Sequence, residues 1–275
     1  MHHQSNIVAV FAHPDDETWI NGTVALIASK TSRFHVVYVT SGDAGTDVSG
    51  QDLEDEALAR EREREAQKAL TALGVQAPPI FLRLPDSHLQ ERENQLLMQS
   101  KLNALFQERQ PEVVLTFGED GITGHTDHRL VGIATRRAAD ESKSVRVVLN
   151  IAISEQRAKA LNDYAADMGI DLPSIYPTLP VDKTSVDLRI NVEKFATQRI
   201  EAFASHKTQF PPRLNTLWQE FVSRQHKEEI IVSRRHKTQS GIFERVLADD
   251  SIERLDLNNG RHPEHDRHPE QGVQK

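Results

Sequence analysis

With 275 residues, the chain is long enough for one large α/β domain or for a core with an appended lobe. A formal charge of −8 argues against the clustered basic surface that nucleic acid requires. The absence of cysteine excludes disulfides and thiolate metal sites, so any metal must be held by His, Asp or Glu. Hydrophobic residues at 37% and charged residues at 27% are ordinary for a soluble globular protein. No basic stretch with a cleavage site opens the sequence, and the apolar run 7–12 is too short to span a membrane, so the expected compartment is the cytoplasm.

The first half alternates strand and helix signals. Residues 7–12 (IVAVFA) form a continuous apolar run of the kind that makes a strand buried on both faces. A helix is predicted over 18–30, a strand over 34–40 (FHVVYVT), and a long charged helix over 53–73 that stops at Gly74. Residues 79–84 read as a third strand. Residues 90–109 read as a helix with Leu96, Leu97, Leu102 and Leu105 on one face. A fourth strand is expected over 112–117, a helix over 126–140 and a fifth strand over 145–153. Parallel neighbours need crossover helices, so this rhythm predicts a doubly wound, Rossmann-like parallel sheet flanked by helices. Beyond residue 150 the pattern weakens. A helix over 157–168, an edge strand over 185–190, a helix over 192–205 and a late strand over 229–232 are expected to complete the core and line one side of a cleft. Residues 1–257 are thus read as one domain, and the polar, His-rich stretch 258–275 as a disordered tail.

Two short runs carry chemistry. His13-Pro14-Asp15-Asp16-Glu17 follows the first strand, where open α/β sheets bind ligands. His13 and Asp16, three residues apart, can converge on one point while Asp15 faces elsewhere. That suits a metal held by one imidazole and one carboxylate, with a second carboxylate free to take a proton. The competing reading is an N-cap carboxylate beside a merely polar histidine. His125-Thr126-Asp127-His128 follows the fourth strand after a glycine-rich loop and so belongs to the same sheet edge. Together the runs can give two histidines and one aspartate to a metal, the ligand count of a catalytic zinc site with a fourth position left for water, and keep acid–base groups beside it. No G-x-G-x-x-G follows the first strand, which excludes a dinucleotide fingerprint there.

These residues resemble the two signature motifs of the LmbE-like, or PIG-L, zinc-dependent de-N-acetylase family: AHPDDE after strand one and GHTDH after strand four. The similarity extends to TSGDAG at 40–45, to Arg62 and Glu65 followed by Leu73-Gly74, to Leu84-Pro85-Asp86, and to His206-Lys207-Thr208-Gln209. It covers roughly 6–210. The resemblance implies zinc on His13, Asp16 and His128, with Fe²⁺ also suited to such ligands. It implies Asp15 as general base, His125 as partner of the developing charge or leaving amine, and Asp127 orienting His125. Arg62, Asp43, Asp86 and His206 become candidates for substrate contact, His206 at the cleft mouth. Arg62 also reads as one member of an exposed run of i, i+3 and i+4 charge pairs, and Asp43 and Asp86 also read as turn caps. Thr126 stands where the family usually has proline, and Thr123 where some members carry tyrosine. The implied activity is hydrolysis of an N-acetylglucosamine-type amino sugar or its conjugate; the alternatives are another N-acyl substrate, such as an antibiotic or an amino-sugar derivative with a different acyl group, and, after it, a non-catalytic Rossmann-like metal-binding protein. No nucleic-acid partner and no membrane span are expected, and self-association is left open.

Overall fold

The computed structural model describes residues 5–232, Phe243 and residues 251–255; the expected tail lies outside the described residues. Strands β1 (Ile7–Phe11), β2 (Phe34–Thr40), β3 (Ile80–Leu84), β4 (Val113–Phe117) and β5 (Val147–Ala152) run parallel in the order β3-β2-β1-β4-β5. β1 is paired on both edges and buried along its whole length, which is why it carries five apolar residues without alternation. Helices α1 (Asn21–Lys30), α2 (Asp55–Ala72), α3 (Arg92–Arg109) and α4 (Thr126–Glu141) make the crossovers. The Rossmann-like expectation holds for this half. The predicted helix 18–30 divides into a 3-10 turn, Asp16–Ile20, and α1.

The other half extends the sheet with antiparallel strands. β7 (Lys227–Val232) pairs with β5, β6 (Leu188–Asn191) with β7, and β8 (Ile252–Arg254) with β6. The strand expected at an edge is therefore an inner one, β6. Helices α5 (Glu155–Asp167), α6 (Leu172–Ile175), α7 (Ala196–Ser205) and α8 (Pro212–Arg224) surround a second hydrophobic cluster that includes Leu161, Leu172, Phe203, Leu217, Trp218 and Phe221. α8 is absent from the sequence reading, although its signal was there. It opens on Pro211-Pro212, and its buried Leu214, Leu217, Trp218, Phe221 and Val222 follow the helical spacing.

The apolar face expected on α3 needs correction. Leu96 and Leu97 are 64% and 44% exposed, and the buried face is formed by Met98, Leu102, Leu105 and Phe106. α3 packs against α4 on a stripe rotated away from the leucine pair.

Glu228 on β7 joins the halves. Fully buried, it accepts the amides of Gly22 and Thr23 and the Thr23 hydroxyl at the start of α1, where the helix dipole favours a negative charge. Arg199 Nε lies 3.5 Å away. Replacing Glu228 with alanine strands Arg199 and leaves these donors unpaired. The expected loss is about 3–5 kcal/mol of unfolding free energy, read as a lower midpoint in urea denaturation. A loss under about 1 kcal/mol would contradict this role.

Candidate active site

β1 and β4 are adjacent, and the loops leaving their carboxyl ends diverge, opening a crevice at the topological switch point. Into it β1 delivers His13, Asp15 and Asp16. Asp16 Oδ2 accepts the backbone amides of Ala12 at 3.1 Å and His13 at 2.7 Å, folding the turn back on the strand end. Asp15 begins the 3-10 turn at φ 121°, a backbone conformation costly for any residue but glycine. It is held there by its amide donating to Glu17 Oε2 at 3.2 Å and by Arg62, whose Nη2 sits 3.5 Å from the carboxylate.

The β4 loop delivers the histidines. His125 caps α4 with Nδ1 accepting the Asp127 amide at 3.2 Å, so a neutral ring carries its proton on Nε2. His128 lies flat on Phe117, ring centroids 4.2 Å apart, and its Nδ1 is 3.0 Å from the Gly121 carbonyl. A carbonyl only accepts, so Nδ1 bears the proton and the Nε2 lone pair faces Asp16 Oδ1 at 3.0 Å. Two acceptors that close require a proton or a cation between them. His13 has the opposite polarity: Nε2 faces Asp86 Oδ1 at 3.0 Å and Asp127 Oδ2 at 3.4 Å, leaving Nδ1 3.6 Å from Asp16 Oδ2. Asp16 thus stands between His13 Nδ1 and His128 Nε2, and the nitrogens of His13, His125 and His128 lie within 4.8 Å of one another. The donor set fits a divalent ion with N/O preference.

The electrostatics agree. Burial alone would lower the His13 pKa, but Asp127, Asp86 and Asp16 outweigh it and raise it to about 10. Asp86, which burial would raise, is brought down to about 2 by His13, and Asp16 is also lowered, by His128 and His13 acting against burial. Asp15 is the exception: burial lifts it to about 6 against the pull of Arg62. His125 is lowered, first by burial and then by the neighbouring His13 and His128.

Several expected partnerships are rearranged. The Asp127 carboxylate is aimed at His13 and accepts the Ser87 amide at 3.0 Å; its link to His125 runs through the backbone N–H and not through the carboxylate. Asp86 holds His13 and the Ala44 amide. Arg62 is buried, its Nη1 and Nη2 donating to the carbonyls of Gly42 and Pro14. Gly42, at φ +72°, is the residue that makes room: a Cβ there would fall 2.2 Å from Arg62 Nη1. Asp43 is half-buried beside the crevice, whose wall is made by its neighbours Ala44 and Gly45. The expectation for His206 is overturned. It is 0% exposed, beneath the site, with Nε2 2.5 Å from Glu17 Oε1, and burial bars it from the cleft mouth. Glu17, given no role in the sequence reading, is a buried hub that also accepts the Tyr38 hydroxyl at 2.8 Å.

The crevice opens into a cavity of about 560 Å³. One side carries His13, Asp15, Asp16, Arg62, His125 and His128; the other is formed by residues of the second hydrophobic cluster, none of them singled out from the sequence.

Comparison with known proteins agrees with the motifs. Residues 8–139 match the family model described as PIG-L, GlcNAc-PI de-N-acetylase. A 1D-myo-inositol 2-acetamido-2-deoxy-alpha-D-glucopyranoside deacetylase from Corynebacterium jeikeium is 30% identical over 74% of this chain and 76% of its own length. The chain belongs to the PIG-L family. Similar folds among solved structures include the N,N'-diacetylchitobiose deacetylase of Pyrococcus horikoshii, with TM-score 0.56 and 18% identity over 83% of this chain and 84% of that one. They also include a 4-carboxy-2-hydroxymuconate hydratase from Pseudomonas putida, with TM-score 0.59 and 16% identity over 83% and 95%. The fold therefore hosts more than one chemistry, and the reaction must be argued from the site.

The environment of Asp15 is open to test by carboxyl-carbon NMR of the metal-free protein. Half-protonation is expected near pH 6. The Arg62 cation favours the carboxylate, so Arg62→Gln should move that midpoint to higher pH and the charge-conserving Arg62→Lys should move it less. A midpoint near pH 4 in the parent, or a downward move in Arg62→Gln, would contradict the assignment.

Proposed function

We propose that this chain is a zinc-dependent amidohydrolase that removes the N-acetyl group from an N-acetylglucosamine-type amino sugar or its conjugate. The observation that carries the reading is the pairing, in one crevice, of a cation-seeking cluster with a separate carboxylate, Asp15, whose pKa is raised to about 6. A carboxylate so placed is a base poised for neutral solution, while Asp16 and Asp86, tied to imidazoles, are not. The deacetylase activity of the Corynebacterium jeikeium relative and the family membership support the choice of an acetamido sugar.

His13 through Nδ1, Asp16 through its carboxylate and His128 through Nε2 would hold the ion. When bound, zinc supplies an acidified water and polarises the acyl oxygen. Asp86 and Asp127 turn the His13 ring so that Nδ1 faces inward, the usual task of carboxylates behind a ligating histidine. Asp15 takes a proton from the attacking water as the new C–O bond forms at the acyl carbon. His125, neutral, presents its Nε2–H to the tetrahedral oxyanion. The proton held by Asp15 then passes to the nitrogen as the C–N bond breaks, leaving acetate and a free amine. Arg62 is a positioning residue: it keeps the Asp15 carboxylate in place and anchors the Pro14 and Gly42 carbonyls.

The test joins metal content to acetate release on untagged protein. Asp16→Ala and His128→Ala are expected to lose the metal, whereas His125→Ala keeps it. Asp15→Asn should retain the metal and lose about 10²–10⁴-fold in kcat, the usual worth of a general base. Full activity in Asp15→Asn, or a parent that takes up no metal on reconstitution, would refute the mechanism. Metal without acetate from any acetamido sugar would move the search to other N-acyl groups.

A further inference from the structure

The two sides of the cavity differ in kind. Every titratable side chain that lines the charged side comes from the loops after β1, β3 and β4, from the first turn of α4 or from α2. The opposing wall takes Leu161 from α5, Leu172 from α6, Phe203 from α7, and Leu217 and Trp218 from α8, with no charged group among its residues. The polar groups on this side are few: the Tyr176 hydroxyl donates to the Gln209 carbonyl, the Gln209 side-chain amide donates to Thr208 Oγ1, and Thr178 and the buried Trp218 Nε1 complete the set. Hydroxyls of a bare amino sugar would find few partners here, and burying them unpaired is costly. The wall is also built stiff: Phe203 is stacked between Phe210 at 4.0 Å and Trp218 at 4.7 Å, both nearly parallel. At the rim Ile175 is 54% exposed, and Leu179, 48% exposed, leans on Gly124 beside the histidine loop. An apolar wall that ends in an exposed apolar lip fits a ligand that continues out of the site as hydrocarbon.

We infer that the substrate is an amphiphile, in which an alkyl or aryl group of several carbons seats on the α5–α8 wall while the scissile amide lies against His13, Asp15 and His125. This rests on the amidohydrolase reading and narrows its substrate class. The hydrocarbon has two sources, the acyl chain or the group attached to the sugar.

Two substrate series separate them: N-acylglucosamines from acetyl to octanoyl, and alkyl glycosides of N-acetylglucosamine from methyl to octyl, all below micelle-forming concentration. In one series kcat/KM should rise by about threefold or more per added methylene until the wall is filled. Ile175→Asp at the exposed rim and Leu217→Ala in the wall should both flatten that rise, read as the ratio of long-chain to short-chain rates in variants whose melting is checked by circular dichroism. Rates that are flat or falling in both series overturn the inference. If metal-loaded protein hydrolyses no member, calorimetric affinities of the same compounds for the Asp15→Asn variant decide. Affinity that climbs with chain length upholds the amphiphile and places the failure in the choice of amide, and affinity indifferent to chain length sinks the amphiphile.

Discussion

Three buried carboxylates, Asp16, Asp86 and Asp127, surround one buried imidazole, and the geometry of the crevice follows from how their charge is balanced. Carboxylates away from water are tolerated only when paired or hydrogen-bonded. Here each one accepts backbone amides from a strand-end loop: Asp16 from Ala12 and His13 after β1, Asp86 from Ala44 after β2, and Asp127 from Ser87 after β3. Asp127 itself stands in the first turn of α4, after β4. The contacts that make the negative charge bearable thus also sew four loops together. A cation in the cluster would add to the stability of the loops as well as to the chemistry, since whatever binds only the folded arrangement stabilises it.

Asp15 escapes this pairing because of its backbone. Its φ of 121° turns the side chain away from the imidazoles and towards Arg62, and its amide is met by Glu17, which is itself pinned by Tyr38 and His206. One residue is thereby kept strained and incompletely neutralised next to others that are fully tied down. Two adjacent aspartates acquire opposite pKa shifts by this means, the difference in environment that lets two carboxylates take different roles.

The parallel core and the two motif-bearing loops were legible because they depend on local signals: apolar runs for strands buried on both faces, and His and Asp placed directly after them. What escaped the sequence depends on pairings between loops. Nothing in His-Thr-Asp-His says that Asp127 will reach His13 across the crevice and not its own neighbour, since both arrangements are short-range and the choice is made by where β1 and β3 end. His206 was expected at the cleft mouth from its place in the family pattern, but Glu17 supplied a buried partner from 189 residues away. On α3, Leu96 and Leu97 belong to an apolar pattern that the packing on α4 did not use. The amphipathic pattern of α8 was present in the sequence, and it lay in the half where strand–helix alternation gives no frame to place it.

The cavity joins parts that fold on different logic. The charged side belongs to successive strand–loop–helix units, so its residues are held by the sheet. The apolar side belongs to a second cluster whose members pack chiefly on one another, with α7 touching both: Ala202 lies in the main core and Phe203 in the second cluster. Substitutions on the apolar side can therefore reshape what is bound without disturbing the carboxylates. Arg199, fully buried on α7, keeps that side from behaving as a loose lid. Its Nε donates to Asn21 at the head of α1, its Nη1 donates to the Gln225 carbonyl beyond α8, and its guanidinium lies 5.9 Å from the Trp218 ring. A cation locked between the crossover helix and the aromatic stack fixes the distance between the two walls, and that distance sets how much of a substrate fits between the base and the hydrocarbon surface.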